Sequence, residues 1–304
     1  MNLPSQIARS LRLFFILVIC TTGILNVVRA ETITIGTISL DPIEEARAFK
    51  PFSEYLAVQL ASLGVQSVDI KIANSIRQAA KMLKEKELDF FIDSSVTAAH
   101  INDLSGSKFL LRRWKKAKGK YRSVIFVNAD SPIKNLSGLL GKTVAFEEAF
   151  STSGYILPAV AMLRSGLKLA HLESFRSRNP DDKVGFVMAN DNETQIVWLE
   201  RDKVAAAAMA EEDFKKYSTN ALRSMRILHT TPYVPYHVIT YRANLDPKYV
   251  EQMKEILLSA HKTADGKKLL EKFEATLKFD EIPEELLLEV SDLSPFIFDL
   301  QLSQ

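Results

Sequence analysis

Residues 31–39 alternate apolar and polar positions and are rich in β-branched side chains, which predicts a strand. Residues 43–63 change to a helical period, with Phe49, Phe52, Leu56, Leu60 and Leu63 on one face. Gly64 then supplies the stop. Residues 67–72 and 88–92 read as two more strands. Between them Ser75 opens a helix that turns Ile76, Ala79, Ala80 and Leu83 inward. Strand–helix–strand–helix–strand order predicts a parallel α/β sheet, whose ligands sit beyond the C-terminal strand ends.

A second α/β unit follows. Strands are predicted near residues 142–146, 184–189, 204–209 and 225–228, and helices near 153–165, 192–201 and 211–217. Two further extended segments, residues 121–127 and 234–241, read as crossings between the units. From Asp246 onward the pattern is helical, with one stripe through Tyr249, Met253, Ile256 and Leu257 and another through Leu269, Leu270 and Phe273. Phe296, Ile297 and Phe298 are expected to pack back on the first unit. The fold class is thus α/β: two lobes joined by two crossing strands, with a ligand cleft between them that closes by hinging. Residues 31–127 with 236–304 form one lobe and 128–235 the other.

Residues 1–30 change the picture of charge and address. Arg9 and Arg12 precede an apolar run from Leu13, and Val28-Arg29-Ala30 offers a cleavage site, which predicts a signal peptide removed after Ala30. An uncleaved anchor is the alternative, although Thr21, Thr22, Gly23 and Asn26 dilute the run. The whole chain has 39 Lys+Arg against 37 Asp+Glu. Without the three Arg of the leader, which holds no acid, that excess of two becomes a deficit of one, so charge does not point to nucleic acid. The sole cysteine, Cys20, lies in the same segment, which leaves the remainder without disulfides, Fe–S clusters or thiol catalysis. One basic run, Arg112-Arg-Trp-Lys-Lys-Ala-Lys-Gly-Lys120, reads as a solvated, mobile hairpin or loop.

The candidate chemistry lies at Ser151-Thr-Ser-Gly154, between a predicted strand and a predicted helix. The first amides of a helix have no internal partner and the dipole favours an anion there. Hydroxyls add donors, and glycine admits a close approach. A plain N-cap is the simpler reading of the same residues. The five histidines are scattered without ligand-like spacing, so no metal or cofactor is expected. No Gly-x-Ser-x-Gly elbow, P-loop or dinucleotide fingerprint is present. A serine hydrolase using Ser151 or Ser153 is a remote alternative.

Tyr121-Arg-Ser-Val-Ile-Phe-Val127, Asp130-Ser-Pro-Ile133, Leu140-Gly-Lys-Thr-Val-Ala-Phe146 and Ser151-Thr-Ser-Gly-Tyr155 together resemble the phosphate/phosphite/phosphonate-binding proteins of ABC transporters. The resemblance implies a type II periplasmic binding protein, not an enzyme, which hands a small oxyanion to a membrane permease. It implies Ser151, Thr152 and Ser153 as oxyanion ligands and Tyr121 as the tyrosine that opens the crossing strand. Position places Ser39, Asp93, Ser94 and Ser95 on the opposite wall. Where the family has Gly-Pro and a ligand-facing tyrosine, this chain has Ile92-Asp-Ser-Ser95; Ala189-Asn-Asp-Asn-Glu193 and Val204-Ala205 replace the segments that hold an amino group. An aminoalkylphosphonate is therefore not implied. Glu193 and Glu211 read as solvated helix-start acids. Asp93 either accepts a hydrogen bond from a protonated oxyanion or, the preferred reading, caps the following helix. The altered wall keeps a second role open, that of a periplasmic sensor feeding a membrane receptor kinase.

Overall fold

The computed structural model describes residues 31–300. The expected signal segment and Cys20 lie outside them. The first strands and helices follow the sequence pattern: β1 Glu31–Ile38, α1 Pro42–Leu60, β2 Val65–Ala73, α2 Ile76–Lys84 and β3 Phe90–Ser94. Gly64 ends the first helical stretch at φ +83, a conformation that costs other residues a Cβ clash. Ser75 caps α2 by accepting from Gln78 N. Then come α3 Ser95–Ser105, β4 Lys108–Arg113, β5 Lys120–Tyr121, β6 Ser123–Asn128, β7 Thr143–Phe146, α4 Leu157–Arg164 and β8 Leu169–His171. The chain continues with β9 Val184–Met188, α5 Asn192–Glu200, β10 Ala206–Ala210, α6 Glu211–Asn220, β11 Met225–Thr230, β12 Val234–Pro235 and β13 His237–Tyr241. It ends with α7 Pro247–Ala260, α8 Ala264–Lys272, β14 Phe279–Asp280, α9 Glu284–Ser291 and α10 Ser294–Asp299.

Two six-stranded sheets result, in the orders β14-β4-β13-β3-β1-β2 and β11-β6-β10-β7-β9-β8. In the first, β1 pairs in parallel with β2 and β3; in the second, β7, β8, β9 and β10 are parallel. Both parallel sets aim their C-terminal ends at the space between the sheets, where α/β folds bind ligands.

The crossings differ from the expected long strands. Each breaks in two, at Arg122 and at Tyr236, and the short pieces β5 and β12 pair with each other as a separate ribbon. Residues 123–127, expected to close the first lobe, pair within the second sheet through β10 and β11. At the ribbon Tyr121 stacks on Tyr236, with centroids 4.3 Å apart.

The basic run is also corrected. Arg112 and Arg113 end β4 and are buried, Arg113 completely. Arg112 makes a two-pronged contact with Asp280 at 2.8 Å. Arg113 donates to Glu274, Thr276 and the Phe273 carbonyl, and its guanidinium lies 3.7 Å from the Phe273 ring centroid. A buried cation survives because each prong finds an acceptor. Lys115 also pairs with Glu274. Beyond the strand the run does turn in an exposed hairpin, closed by a bridge between Lys115 and Lys118, and from it Lys116 and Lys118 reach Asp213 and Glu212 on α6 and so tie the two lobes.

The C-terminal helices extend the expected packing. Ser294 reaches Asp103 at the end of α3, as anticipated for the first lobe. Arg164 of α4 also donates to the Asp292 carbonyl and lies over Phe296, so the tail contacts the second lobe too. Ile297 belongs to the core cluster that runs through both lobes behind the ribbon.

Candidate functional site

Between the lobes lies a cleft of about 380 Å³. The Ser-Thr-Ser loop forms part of its wall. Ser151 is the N-cap of a π-turn, Thr152–Ile156, that runs into α4; its hydroxyl accepts from Gly154 N at 3.0 Å. Pro158 has no N–H to give the Gly154 carbonyl, so that carbonyl accepts instead from Glu147 N at 3.0 Å. This draws Glu147 back over the loop, and Ser151 Oγ donates to Glu147 Oε2 at 2.7 Å. A Cβ on Gly154 would lie 2.4 Å from the Glu147 side chain, so only glycine fits there. Ser123 at the start of β6 fixes the other side by donating to the Ser153 carbonyl at 2.6 Å.

The amides of Thr152 and Ser153, and the Ser153 hydroxyl, make no hydrogen bond to any described residue. They form a small set of unused donors facing a cleft. Thr152 is nearly fully buried and points at the other lobe: its hydroxyl donates to Ser94 Oγ at 3.0 Å and accepts from Thr97 N at 3.3 Å.

On the facing wall Asp93 and Ser94 line the cleft. Asp93 is not a helix cap, because Ser94 occupies the cap position of α3 and no side chain caps it. Its carboxylate instead accepts from Ser94 N, Ser94 Oγ, Ile38 N and Thr37 Oγ1, tying the end of β3 to that of β1. The Thr37 and Ser94 hydroxyls share their single protons with Glu45 and Thr97, so the two amides, Ser94 N and Ile38 N, are its fixed donors.

Ser39 and Ser95, expected on the same wall, stand outside it. Ser39 closes a turn with Asp41, accepting from Asp41 N at 3.0 Å. Ser95 is fully buried and donates to the Pro235 carbonyl at 2.6 Å. Tyr121 lines the cleft floor beside Tyr236. Glu193 is exposed in the first turn of α5, as expected. Glu211 is not solvated: Arg122 grips it at 2.9 and 3.0 Å, and hydrogen bonds from Arg122 hold its carboxyl down at about 2.

The sequence reading missed most of the charge in this cleft. Glu45, Glu147, Glu148 and Asp213 join Asp93 in its lining, with Lys115, Lys116 and Lys216 as the cations. Lys115 and Lys116 are already paired with Glu274 and Asp213. Burial, helped by Glu274, lifts Glu45 to about 7. Burial and then the neighbouring Glu147 lift Glu148 to about 7. Burial raises Glu147 too, against the Ser151 hydrogen bond, and raises Asp93 against those from Ser94. The adjacent Glu147-Glu148 pair, separated from the hydroxyl loop by Ala149 and Phe150, was the available signal. His237 also lines the cleft; burial, with Lys115 and Arg113 nearby, keeps it neutral. Ser151 Oγ thus donates its hydrogen bond to a carboxylate and not to an imidazole, which is not the geometry of a hydrolase triad.

The family described as ABC transporter, phosphonate, periplasmic substrate-binding protein matches residues 37–286. The chain belongs to that family. The Phosphonates-binding periplasmic protein of Escherichia coli (strain K12) is 26% identical over 159 residues, 50% of this chain and 44% of that protein. The matched stretch therefore spans less than half the length of this curated relative. XAC2383 from Xanthomonas citri, solved with chloride, superposes with a TM-score of 0.83 at 25% identity, covering 89% of this chain and 98% of the other. A second structure of XAC2383 holds ATP. PhnD1 from Prochlorococcus marinus (MIT 9301), in complex with methylphosphonate, gives a TM-score of 0.64 at 17% identity over 88% of this chain and 98% of that chain. This phosphonate-family chain shares with them the two-lobed fold of type II periplasmic binding proteins.

Proposed function

We propose that the protein is the extracytoplasmic solute-binding component of an ABC importer and captures a small tetrahedral oxyanion of the phosphate, phosphite or phosphonate class. The leader is removed after Ala30, the remainder works in the periplasm, and it carries no catalytic activity. The observation that carries this reading is the set of unused donors, Thr152 N, Ser153 N and Ser153 Oγ, at the start of a helix facing the other lobe. Micromolar capture needs about 8 kcal/mol. Three or four charge-assisted hydrogen bonds, at about 1.5–3 kcal/mol each, supply that order of energy.

The surrounding carboxylates set a condition on the ligand. Glu147 adjoins the loop and holds its proton more readily than an ordinary glutamate. In its neutral form it removes a repulsion and offers an O–H to the incoming anion. Contacts to both lobes favour the closed form, which then docks on the permease.

A thermal-shift panel tests the assignment, using phosphate, phosphite, methylphosphonate, sulfate and ATP. A ligand at 100 times its Kd adds about 2.7 kcal/mol. A clear upward shift with one phosphorus oxyanion, lost in Ser153→Ala, is expected. Melting that no member of the panel moves contradicts the reading.

A further inference from the structure

The cleft does not end at the hydroxyl loop. A second recess of about 200 Å³ adjoins it, and Glu148 and Phe150 line both. Leu40 and Ile76 from the first lobe and Ala149 and Met188 from the second give it most of its surface, with Asn74, Ser75 and Asn190 as polar members. These residues follow or end β1, β2, β7 and β9, so the recess sits over the C-terminal ends of parallel strands in both sheets. That is where an α/β fold places its ligand.

Leu40 is the informative residue. It is 54% exposed, although the loop that carries it is not loose. Ser39 and Asp41 bond to each other on either side, and Ser39 N donates to the Ala73 carbonyl. The turn therefore holds an apolar side chain at the mouth of an apolar recess. Phe150 stands between this recess and the donor amides, one residue before Ser151. Its carbonyl is held at 2.5 Å by Thr97 Oγ1, which fixes the partition from the opposite lobe. Two residues of extended chain span about 7 Å, so a group bound at Thr152 and Ser153 is within a few bonds of the recess.

We propose that this recess is the second half of the ligand site and takes the hydrocarbon substituent of an organic oxyanion whose charged end sits on Thr152 and Ser153. The ligand is then a phosphonate with an apolar group of several carbons, not an inorganic ion. The proposal rests on the oxyanion reading above. Each buried methylene multiplies affinity roughly fourfold, so even partial filling separates long from short chains.

Isothermal titration of the purified protein with methylphosphonate and hexylphosphonate tests this, alongside Ala149→Trp, which fills the recess, and Leu40→Ser, which strips its mouth. Both side chains are exposed, and circular dichroism confirms folding of each variant. The wild type binds hexylphosphonate at least about tenfold more tightly than methylphosphonate, and Ala149→Trp collapses that ratio to near one. Equal affinity for the two ligands in the wild type, or a ratio that survives Ala149→Trp, overturns the recess assignment and leaves the oxyanion reading standing. Failure of both phosphonates to bind where phosphate or phosphite does overturns the recess assignment alone; failure of all four overturns the oxyanion reading with it. A hexanesulfonate arm separates phosphonate from sulfonate; tighter binding of hexanesulfonate than of hexylphosphonate overturns the phosphonate class.

Discussion

The Thr152 hydroxyl donates to the Ser94 hydroxyl at 3.0 Å and so joins the second lobe to the first at the edge of the cleft. Ser94 in turn donates to Asp93 Oδ1 at 3.0 Å, and Asp93 is anchored to Ile38 N. A donor chain therefore runs from the hydroxyl loop into the first sheet. Thr152 sets the distance between the lobes, while the neighbouring amides stay free for a ligand.

Thr152→Val keeps the volume and removes the bridge. It leaves Thr97 N and Ser94 Oγ short of a partner in a buried place, a loss of about 1–3 kcal/mol. Urea denaturation is expected to show that loss. A variant as stable as the wild type would show that water replaces the hydroxyl without cost.

Stability is also expected to depend on pH through the cleft carboxylates. Glu45 and Glu148 have folded values of about 7, above the ordinary 4.5. The folded state thus binds more protons, and the stability they contribute below about 4.5 is lost as pH rises through 7. Histidines held below their usual value, His237 above all, act the other way below about 6.5. The clean window is about pH 6.5–8. There Glu148→Gln should melt increasingly above the wild type as pH rises; a constant gap would show that Glu148 is ionised throughout.

The same groups couple ligand to protons. An anion placed beside Glu147 and Glu148 strengthens their hold on protons, so binding takes protons up near neutral pH. Titration in two buffers of different ionisation enthalpy measures the uptake. It should be positive at pH 7 and smaller in Glu148→Gln, and affinity should fall from pH 6 to 8. Proton release would contradict the arrangement.

Much of the fold was legible because it is local. The stripe Phe49, Phe52, Leu56 and Leu60 is buried as its spacing predicts, and the hydroxyl loop sits between β7 and α4. What was not legible depends on partners far along the chain. Arg112 and Arg113 read as solvated because Asp280 and Glu274 lie 168 and 161 residues away. The breaks at Arg122 and Tyr236 follow from two-residue strands that pair only with each other. In the site, the loop could be read from its residue types. Ser39 and Ser95 could not, because position on a strand end does not say which way a hydroxyl turns. Glu45, in the first turn of α1, carries no local mark of the cleft it shares with Glu148.

Arg113 offers a test of that long-range architecture. Arg113→Ala leaves Glu274 with Lys115 alone and opens space against Phe273. A loss of about 3–5 kcal/mol is expected in denaturant melts. A loss below about 1 kcal/mol would mean that the pair is solvated after all.

The claim that everything else serves is that an oxyanion sits on the amides of Thr152 and Ser153. Backbone amide NMR during a methylphosphonate titration reads those two protons directly. The account predicts that both move downfield, further than any other amides. A saturating ligand that leaves Thr152 and Ser153 unmoved while shifting amides elsewhere would contradict it.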